Sequence, residues 1–147
     1  MKWKPLAVAL AFALWLFLEP TLVTSAELSQ GERVETFLQS KNSPLSQHVP
    51  VLLAQQNWKL IIAISAIESS YCVHSIGNNC WGIKGDDGYR KYASLDTAIP
   101  DVERLIEMRQ AQGKWLTVES MNCSYVVPCN PNWVRIVNQT LTKLNSL

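Results

Sequence analysis

One glutamate stands at the end of an apolar helical stretch, and its setting suits acid catalysis. The run from Leu60 to Ile67 is almost entirely apolar, and Glu68 follows it directly. By helical spacing no cation shares its face, since Lys59 lies on another face and Lys84 far along the chain. A partly desolvated, unpaired carboxyl group has a raised pKa and can donate a proton near neutral pH. We therefore predict that Glu68 is a general acid; the alternative is that it merely ends a helix and faces water.

A loop rich in glycine and aromatic residues follows this glutamate. Residues 76–92 hold four of the six glycines, which excludes a long helix. The Asp86-Asp87-Gly88 turn predicts a small hairpin whose second strand runs over residues 89–92. Asp86 and Asp87 are the acids placed to lean over a cleft, so either is a possible second acid for glycoside cleavage. Turn chemistry explains both aspartates without any catalytic role.

The remaining pattern is helical, so the predicted class is mostly α (α+β) with one small β-hairpin. Asn57 is a suitable N-cap for the apolar helix that begins at Trp58. Asn130 and Pro131 are typical of the start of a last helix. Other predicted elements are a first helix within 27–42, a short helix at 49–55, a helical turn capped by Ser94, a helix restarting at Pro100 and ending at Gly113, and a turn at 117–121.

The N-terminus has the composition of an export signal. Lys2 and Lys4 precede an apolar run, Leu6–Leu18, that is short for a membrane span, and the small residues 24–26 offer a cleavage site. We predict a signal peptide at 1–26 and a single domain at 27–147, in the periplasm, the cell envelope or outside the cell. The alternative is an uncleaved anchor. The net charge of +1 does not favour nucleic acid as a partner, and any membrane contact is expected only through this segment, with the domain a monomer.

Export fits the cysteine content. The chain has four cysteines, an even number, which can pair in three ways. The bonds Cys72–Cys80 and Cys123–Cys129 are favoured because each clamps one local loop. A zinc site is the rival interpretation. No Cys-x-x-Cys spacing occurs and the two histidines complete no recognisable ligand set, so no metal and no cofactor are predicted.

Three short blocks follow one another along the chain: Ala63 to Ser69 with Glu68, Asn78 to Gly85, and Tyr89 to Ser94. A segment at 125–133, with Tyr125, Pro128 and Trp133, comes after them. In order and spacing the blocks resemble the bacterial glucosaminidase family of lysozyme-like cell-wall hydrolases, over about residues 42–144. The matching residues are Ala63, Ala66, Glu68, Ser69, Asn78, Asn79, Trp81, Gly82, Ile83, Lys84, Gly85, Tyr89, Arg90, Tyr92 and Ser94.

The resemblance implies a lysozyme-like fold, with a cleft between a helical body and a small β lobe. It implies the peptidoglycan glycan strand as substrate, Glu68 as general acid, and Tyr125 as the tyrosine nearest to it. Aromatic rings can stack on sugars and cations can meet the carboxylates of peptidoglycan. The residues expected to bind substrate, or alternatively to support the fold, are Asn79, Trp81, Lys84, Tyr89, Arg90 and Tyr92.

The sequence departs from the family pattern at Cys72 and Cys80, which flank the loop after Glu68 and support a bond between them. We expect an exported peptidoglycan hydrolase that cuts β-1,4 bonds in the manner of an N-acetylglucosaminidase. If no second acid reaches the cleft, the substrate's own N-acetyl oxygen can attack the anomeric carbon. A lytic transglycosylase giving anhydromuramyl products, and a non-catalytic cell-wall-binding module, are the alternatives.

Overall fold

Six α-helices, a 3-10 helix and a two-stranded hairpin make up residues 27–147, the part of the chain that the computed structural model describes. The predicted class, mostly helical with a small hairpin, is confirmed. The predicted signal peptide at 1–26 lies outside the described residues. The elements are α1 (Gln30–Gln39), the 3-10 helix (Pro44–His48), α2 (Val49–Leu53), α3 (Trp58–Ser69), β1 (Lys84–Gly85), β2 (Gly88–Tyr89), α4 (Leu95–Ala111), α5 (Val118–Met121) and α6 (Pro131–Asn145).

The helix α3 is the centre of the hydrophobic core. Residues 61–65 are buried without interruption, as expected for a helix that is apolar on most of its circumference. Its most extensive packing is against α6, with α4 and α2 on other sides. Its last turn carries Glu68, so the position of this carboxylate is fixed by the core. Among the fully buried side chains are Leu38, Leu52, Ile61, Ile62, Ile64, Trp81, Ile99, Ile106, Trp133 and Leu144.

A buried carboxylate from α4 caps the start of α3. Asn57 occupies the predicted N-cap position, but its side chain makes no capping bond within α3. Instead the Asn57 backbone N–H donates to the two carboxylate oxygens of Glu103, at 3.1 and 3.2 Å. The Asn57 side-chain amide donates to Glu103 Oε1 at 3.0 Å. Because Glu103 is only 5% exposed, this contact joins α4 to α3 inside the protein and places negative charge at the positive end of α3.

The other end of α3 is stopped by three consecutive residues in the left-handed region. Ser70, Tyr71 and Cys72 have φ values of 51°, 59° and 70°. This conformation is costly for residues other than glycine. The Tyr71 backbone N–H donates to the Ser65 carbonyl at 2.9 Å, and the Cys72 backbone N–H donates to Ser69 Oγ at 3.1 Å. The helix therefore ends one residue after Glu68, and the chain turns sharply into the loop.

Both favoured disulfides are present in the structure. Cys72 is bonded to Cys80 across the loop that follows α3, and Cys123 is bonded to Cys129 near the start of α6. Each bond closes a short loop beside the region of Glu68. Within residues 27–147 no helix is both long enough and apolar enough to cross a membrane.

Two local predictions are wrong. Pro100 does not start a helix but lies inside α4, because Ser94 and Thr97 cap the helix at its start and the apolar face from Leu95 to Ile106 is buried along its length. Packing on the core compensates for the hydrogen bond that proline cannot make. The second strand is Gly88–Tyr89 rather than residues 89–92, because after Tyr89 the backbone leaves the hairpin for contacts with the preceding loop. The predicted end of α4 at Gly113 and the predicted start of α6 at Asn130 are confirmed.

Candidate functional site

A cleft of about 570 Å³ lies beside the end of α3. Its walls come from the hairpin, the second half of α4, and the segment at residues 124–127 held by the Cys123–Cys129 bond. These are elements from four separate parts of the sequence, so the cleft forms only in the folded chain. Its titratable lining residues are Glu68, Lys84, Tyr89, Arg90, Arg109 and Tyr125.

Glu68 lies in this cleft and has one hydrogen-bond partner for its carboxylate among the described residues. The indole N–H of Trp133 donates to Glu68 Oε1 at 2.8 Å. The residue remains exposed through the open cleft, yet the surrounding protein removes part of the carboxylate's hydration. This burial raises the pKa of Glu68 above its ordinary value of 4.5, and the Trp133 hydrogen bond, which favours the charged form, offsets part of the rise. The arrangement keeps a proton on Glu68 to higher pH than on a free glutamate.

Three aromatic rings form a row next to Glu68. The Tyr125 ring is 5.5 Å from the Trp133 ring and 5.3 Å from the Trp115 ring. Trp115 is fixed by a 2.8 Å hydrogen bond from its indole N–H to Ser124 Oγ. Such contacts add to the stability that burial of these large side chains supplies. We name Trp133, Tyr125 and Trp115 the aromatic row.

Tyr125 supports the site without bonding to the carboxylate. Its hydroxyl donates to the Trp81 carbonyl, and Trp81 begins the loop segment that faces Glu68. Burial raises the pKa of Tyr125 well above its usual value, and the nearby Glu68 charge adds to the rise. The tyrosine predicted as catalytic is therefore close to Glu68, and its hydroxyl is engaged in holding the loop.

Trp81 and Asn79 are buried inside the loop rather than open to the cleft. Trp81 is fully buried, and its indole N–H donates to the Ile61 carbonyl of α3 at 2.8 Å. The Asn79 side-chain amide donates to the Ile83 and Arg90 carbonyls, and its oxygen accepts the Ile83 backbone N–H. Neither residue lines the cleft, and their hydrogen bonds agree with the structural role that was the alternative to substrate binding.

Gly82 allows the loop to approach the carboxylate closely. Its φ of 64° lies in the left-handed region, and a Cβ added there would be 3.4 Å from Glu68 Oε2 and 3.9 Å from the Tyr89 ring. Glycine meets both requirements at this position because it has no side chain. The close approach of the loop to Glu68 therefore explains why the sequence motif has glycine at position 82.

The hairpin places one aromatic residue and one cation on the cleft. Tyr89 is 64% exposed, and the Lys84 ammonium lies 5.6 Å from its ring centre, across the pairing of the two strands. Both residues line the cleft. Asp86 and Asp87 are exposed on the turn, and neither lines the cleft. Among the described residues Glu68 is the one carboxylate in the lining, so the structure does not bring the predicted second acid to it.

Arg90 and Tyr92 join the hairpin region to α4. Arg90 lines the cleft and pairs with Asp101 at 2.5 Å, and the Tyr92 hydroxyl donates to the same carboxylate at 2.8 Å. These donors and Arg104 lower the pKa of Asp101, against the opposing effect of its partial burial. Burial, with the Asp101 contact, raises the pKa of Tyr92 to about 12. Tyr92 does not line the cleft, and its bond to Asp101 agrees with the alternative of a fold-supporting role.

Replacing Trp133 with phenylalanine is expected to raise the pKa of Glu68 further, because the indole N–H that stabilises the carboxylate is lost while the apolar surroundings remain. A proton donor with a higher pKa stays protonated to higher pH, so any alkaline fall in activity should move upward. The measurement is a titration of the Glu68 carboxyl carbon by NMR. Trp115→Phe, in the same aromatic row but bonded to Ser124, is the matched control and should leave this titration unchanged. An unchanged or lower pKa in Trp133→Phe would contradict the assignment.

Several parts of the site carry no signal in the sequence. Trp133 belongs to the segment at 125–133, but nothing in the sequence pairs it with Glu68. Arg109 and Trp115, which line the cleft from the end of α4 and the segment after it, lie outside the sequence motifs. Within residues 27–147 no group of three or more His, Cys, Asp or Glu side chains is arranged to hold a metal ion.

Comparison of the chain with protein-family models, with curated proteins and with solved structures found no match.

Proposed function

We propose that the protein is an exported, lysozyme-like glycosidase that cuts β-1,4 bonds of peptidoglycan, with Glu68 as the general acid. The observation that carries the proposal is the setting of Glu68: a carboxyl group with a raised pKa, open to a cleft and bonded on one oxygen by Trp133. The order of motifs in the sequence supports the same class of substrate. The disulfides support folding in an oxidising compartment.

The chemistry asked of Glu68 is proton donation to the leaving oxygen. A glycosidic oxygen is a poor leaving group until it is protonated, and a positioned acid near its own pKa accelerates that step by about 10²- to 10⁴-fold. The indole N–H of Trp133 is bonded to Oε1, whereas Oε2 accepts no hydrogen bond from the described residues, although the loop at Gly82 lies close to it. We therefore assign the donated proton to Oε2.

The lining of the cleft favours a mechanism with one protein carboxylate. Glycosidases with two carboxylates hold them about 5–10 Å apart, and among the described residues Glu68 is the sole carboxylate in the lining. Attack by the substrate's own N-acetyl oxygen on the anomeric carbon needs no second protein acid. Water then opens the resulting intermediate, and the product is a hydrolysed glycan.

The same lack of a second acid also favours a second candidate, a lytic transglycosylase. In that reaction Glu68 first gives its proton to the oxygen of the leaving sugar. The 6-hydroxyl of the muramic acid residue then attacks its own anomeric carbon and gives its proton to the Glu68 carboxylate. Both bonds change within the substrate, so no water is consumed. The product carries an anhydro ring in place of a reducing end.

Mass spectrometry of peptidoglycan digested by the protein tests the proposal and separates the candidates. We expect cleaved glycans whose new ends are N-acetylglucosamine with one added water per cut. Products that lack this water would assign the transglycosylase reaction instead. A failure to release any fragment from purified walls, with binding retained, would favour a non-catalytic wall-binding protein and refute both enzymatic candidates.

A further inference from the structure

We propose that Arg109 binds a carboxylate of the glycan, and that this contact makes the protein prefer carboxylate-bearing glycans to neutral ones. The inference rests on the proposed function and adds a specificity-determining residue to it. It identifies the substrate as an acidic N-acetylated glycan rather than a neutral polymer of the same length.

Arg109 is held on a rigid platform inside the cleft. It lies in the last turn of α4, and its guanidinium carbon is 5.5 Å from the centre of the Trp115 ring. Trp115 is only 5% exposed and is fixed by Ser124 and by its contact with Tyr125. A guanidinium stacked on a fixed ring loses little further freedom when its edge binds a ligand.

The charge of Arg109 is not neutralised by the described part of the protein. The cleft's other arginine, Arg90, pairs with Asp101, as Arg104 does outside it. Within residues 27–147 no carboxylate forms an ion pair with Arg109, and its buried Nε has no hydrogen-bond partner. Packing on Trp115 therefore holds this guanidinium in the cleft, and its charge remains available to an anion.

A carboxylate is the ligand group that matches this arrangement. Among residues 27–147 the cleft lining carries three cations, Lys84, Arg90 and Arg109, and one carboxyl, Glu68, which is uncharged when it acts as a proton donor. A planar carboxylate can accept two parallel hydrogen bonds from a guanidinium. In a peptidoglycan strand such a group comes from the lactyl ether of the muramic sugar or from the attached peptide. A neutral N-acetylglucosamine oligomer has neither.

The experiment is calorimetric binding in a Glu68→Gln background, so that cleavage does not interfere. Three glycans of equal sugar number are compared: neutral N-acetylglucosamine oligomers, muramic oligomers with free lactyl carboxylates, and muramic oligomers whose lactyl groups carry a peptide with a free carboxyl end. At low salt we expect at least one acidic glycan to bind about tenfold more tightly than the neutral one. Which acidic glycan does so identifies the source of the carboxylate.

Adding Arg109→Met is expected to bring the ratio of acidic to neutral affinity close to one, and Arg109→Lys, which keeps the charge but not the fork, to an intermediate value. Arg135→Met is the matched control: Arg135 is exposed on α6, bonds to Asn132 and Gln139, and should leave the ratio unchanged. Thermal unfolding checks that each variant folds, and the Lys variant decides the case if the Met variant does not.

The outcomes for the two proposals are distinct. Equal binding of acidic and neutral glycans, or a ratio that survives both Arg109 substitutions, overturns the role of Arg109 while cleavage of peptidoglycan by the unmodified protein still supports the proposed function. If no glycan binds and walls are not cut, the proposed function fails and this inference fails with it.

Discussion

Replacement of Glu68 by glutamine is expected to reduce peptidoglycan cleavage by about 10²- to 10⁴-fold, the range that a positioned general acid contributes. The glutamine is close in size and its amide oxygen can still accept the Trp133 N–H, so binding of glycans should persist. The measurement is release of soluble fragments from purified walls, beside a pull-down with the same walls. Glu107→Gln, an exposed glutamate of α4 outside the cleft lining, is the matched control. Full activity in Glu68→Gln would remove Glu68 from the mechanism.

The same substitution is expected to stabilise the folded protein at neutral pH. Because the pKa of Glu68 is raised in the folded state, the folded protein binds this proton more tightly than the unfolded chain. Below the unfolded pKa both states are protonated and the effect is absent. As pH rises through the folded pKa, the wild type must hold a partly desolvated carboxylate and loses stability that the glutamine variant retains. Unfolding free energies measured at acidic and neutral pH should show this widening difference.

Replacement of Glu103 by alanine is expected to destabilise the fold by about 3 kcal/mol. The carboxylate accepts hydrogen bonds from both the backbone N–H and the side-chain amide of Asn57, and its removal leaves these partly buried donors without their acceptor. Hydrogen bonds to a charged group contribute about 1.5–3 kcal/mol, and the emptied space adds to the loss. Urea unfolding measures the change, and a fall of roughly 10 °C in Tm should accompany it.

Two further variants give this prediction its controls. Glu103→Gln keeps an acceptor for the Asn57 N–H but loses the charge, so its stability should fall between wild type and Glu103→Ala. Glu107→Ala, on the exposed face of the same helix, should change the unfolding free energy by less than about 0.5 kcal/mol. If Glu103→Ala proves as stable as Glu107→Ala, the link between α4 and the start of α3 does not stabilise the protein.

The parts of the fold that local chemistry determines were predictable. The turn residues at 86–88 placed the hairpin, the Asn130-Pro131 pair placed the start of α6, and sequence proximity favoured the disulfides that are present. The interior proline of α4 was not predictable in the same way. Its penalty is local and visible in the sequence, whereas the packing that outweighs it comes from residues elsewhere in the chain.

The same distinction between local sequence and tertiary packing applies to the candidate site. The apolar run before Glu68 indicated a partly desolvated acid. The family resemblance, not a local pattern, implied that Lys84, Tyr89 and Arg90 lie near the substrate, and all three line the cleft. Whether Trp81 faces a ligand or the core depends on where the loop rests on α3, and no local pattern distinguishes the two. The Trp133 partner of Glu68 is 65 residues away and is brought to it by the packing of α6 on α3.

The left-handed turn at residues 70–72 has a consequence for how this chain can vary. Its backbone and side chains are tied at several points: the Tyr71 carbonyl accepts from Ser43 Oγ at 2.6 Å, Ser69 Oγ donates to the Cys80 carbonyl at 2.7 Å, and Cys72 is bonded to Cys80. An inserted or deleted residue here would break these contacts, shift Cys72 relative to Cys80 and displace the loop that faces Glu68. Gains and losses of length should accumulate instead at the exposed tip around Asp86 and Asp87, where lineages can diverge without disturbing the acid.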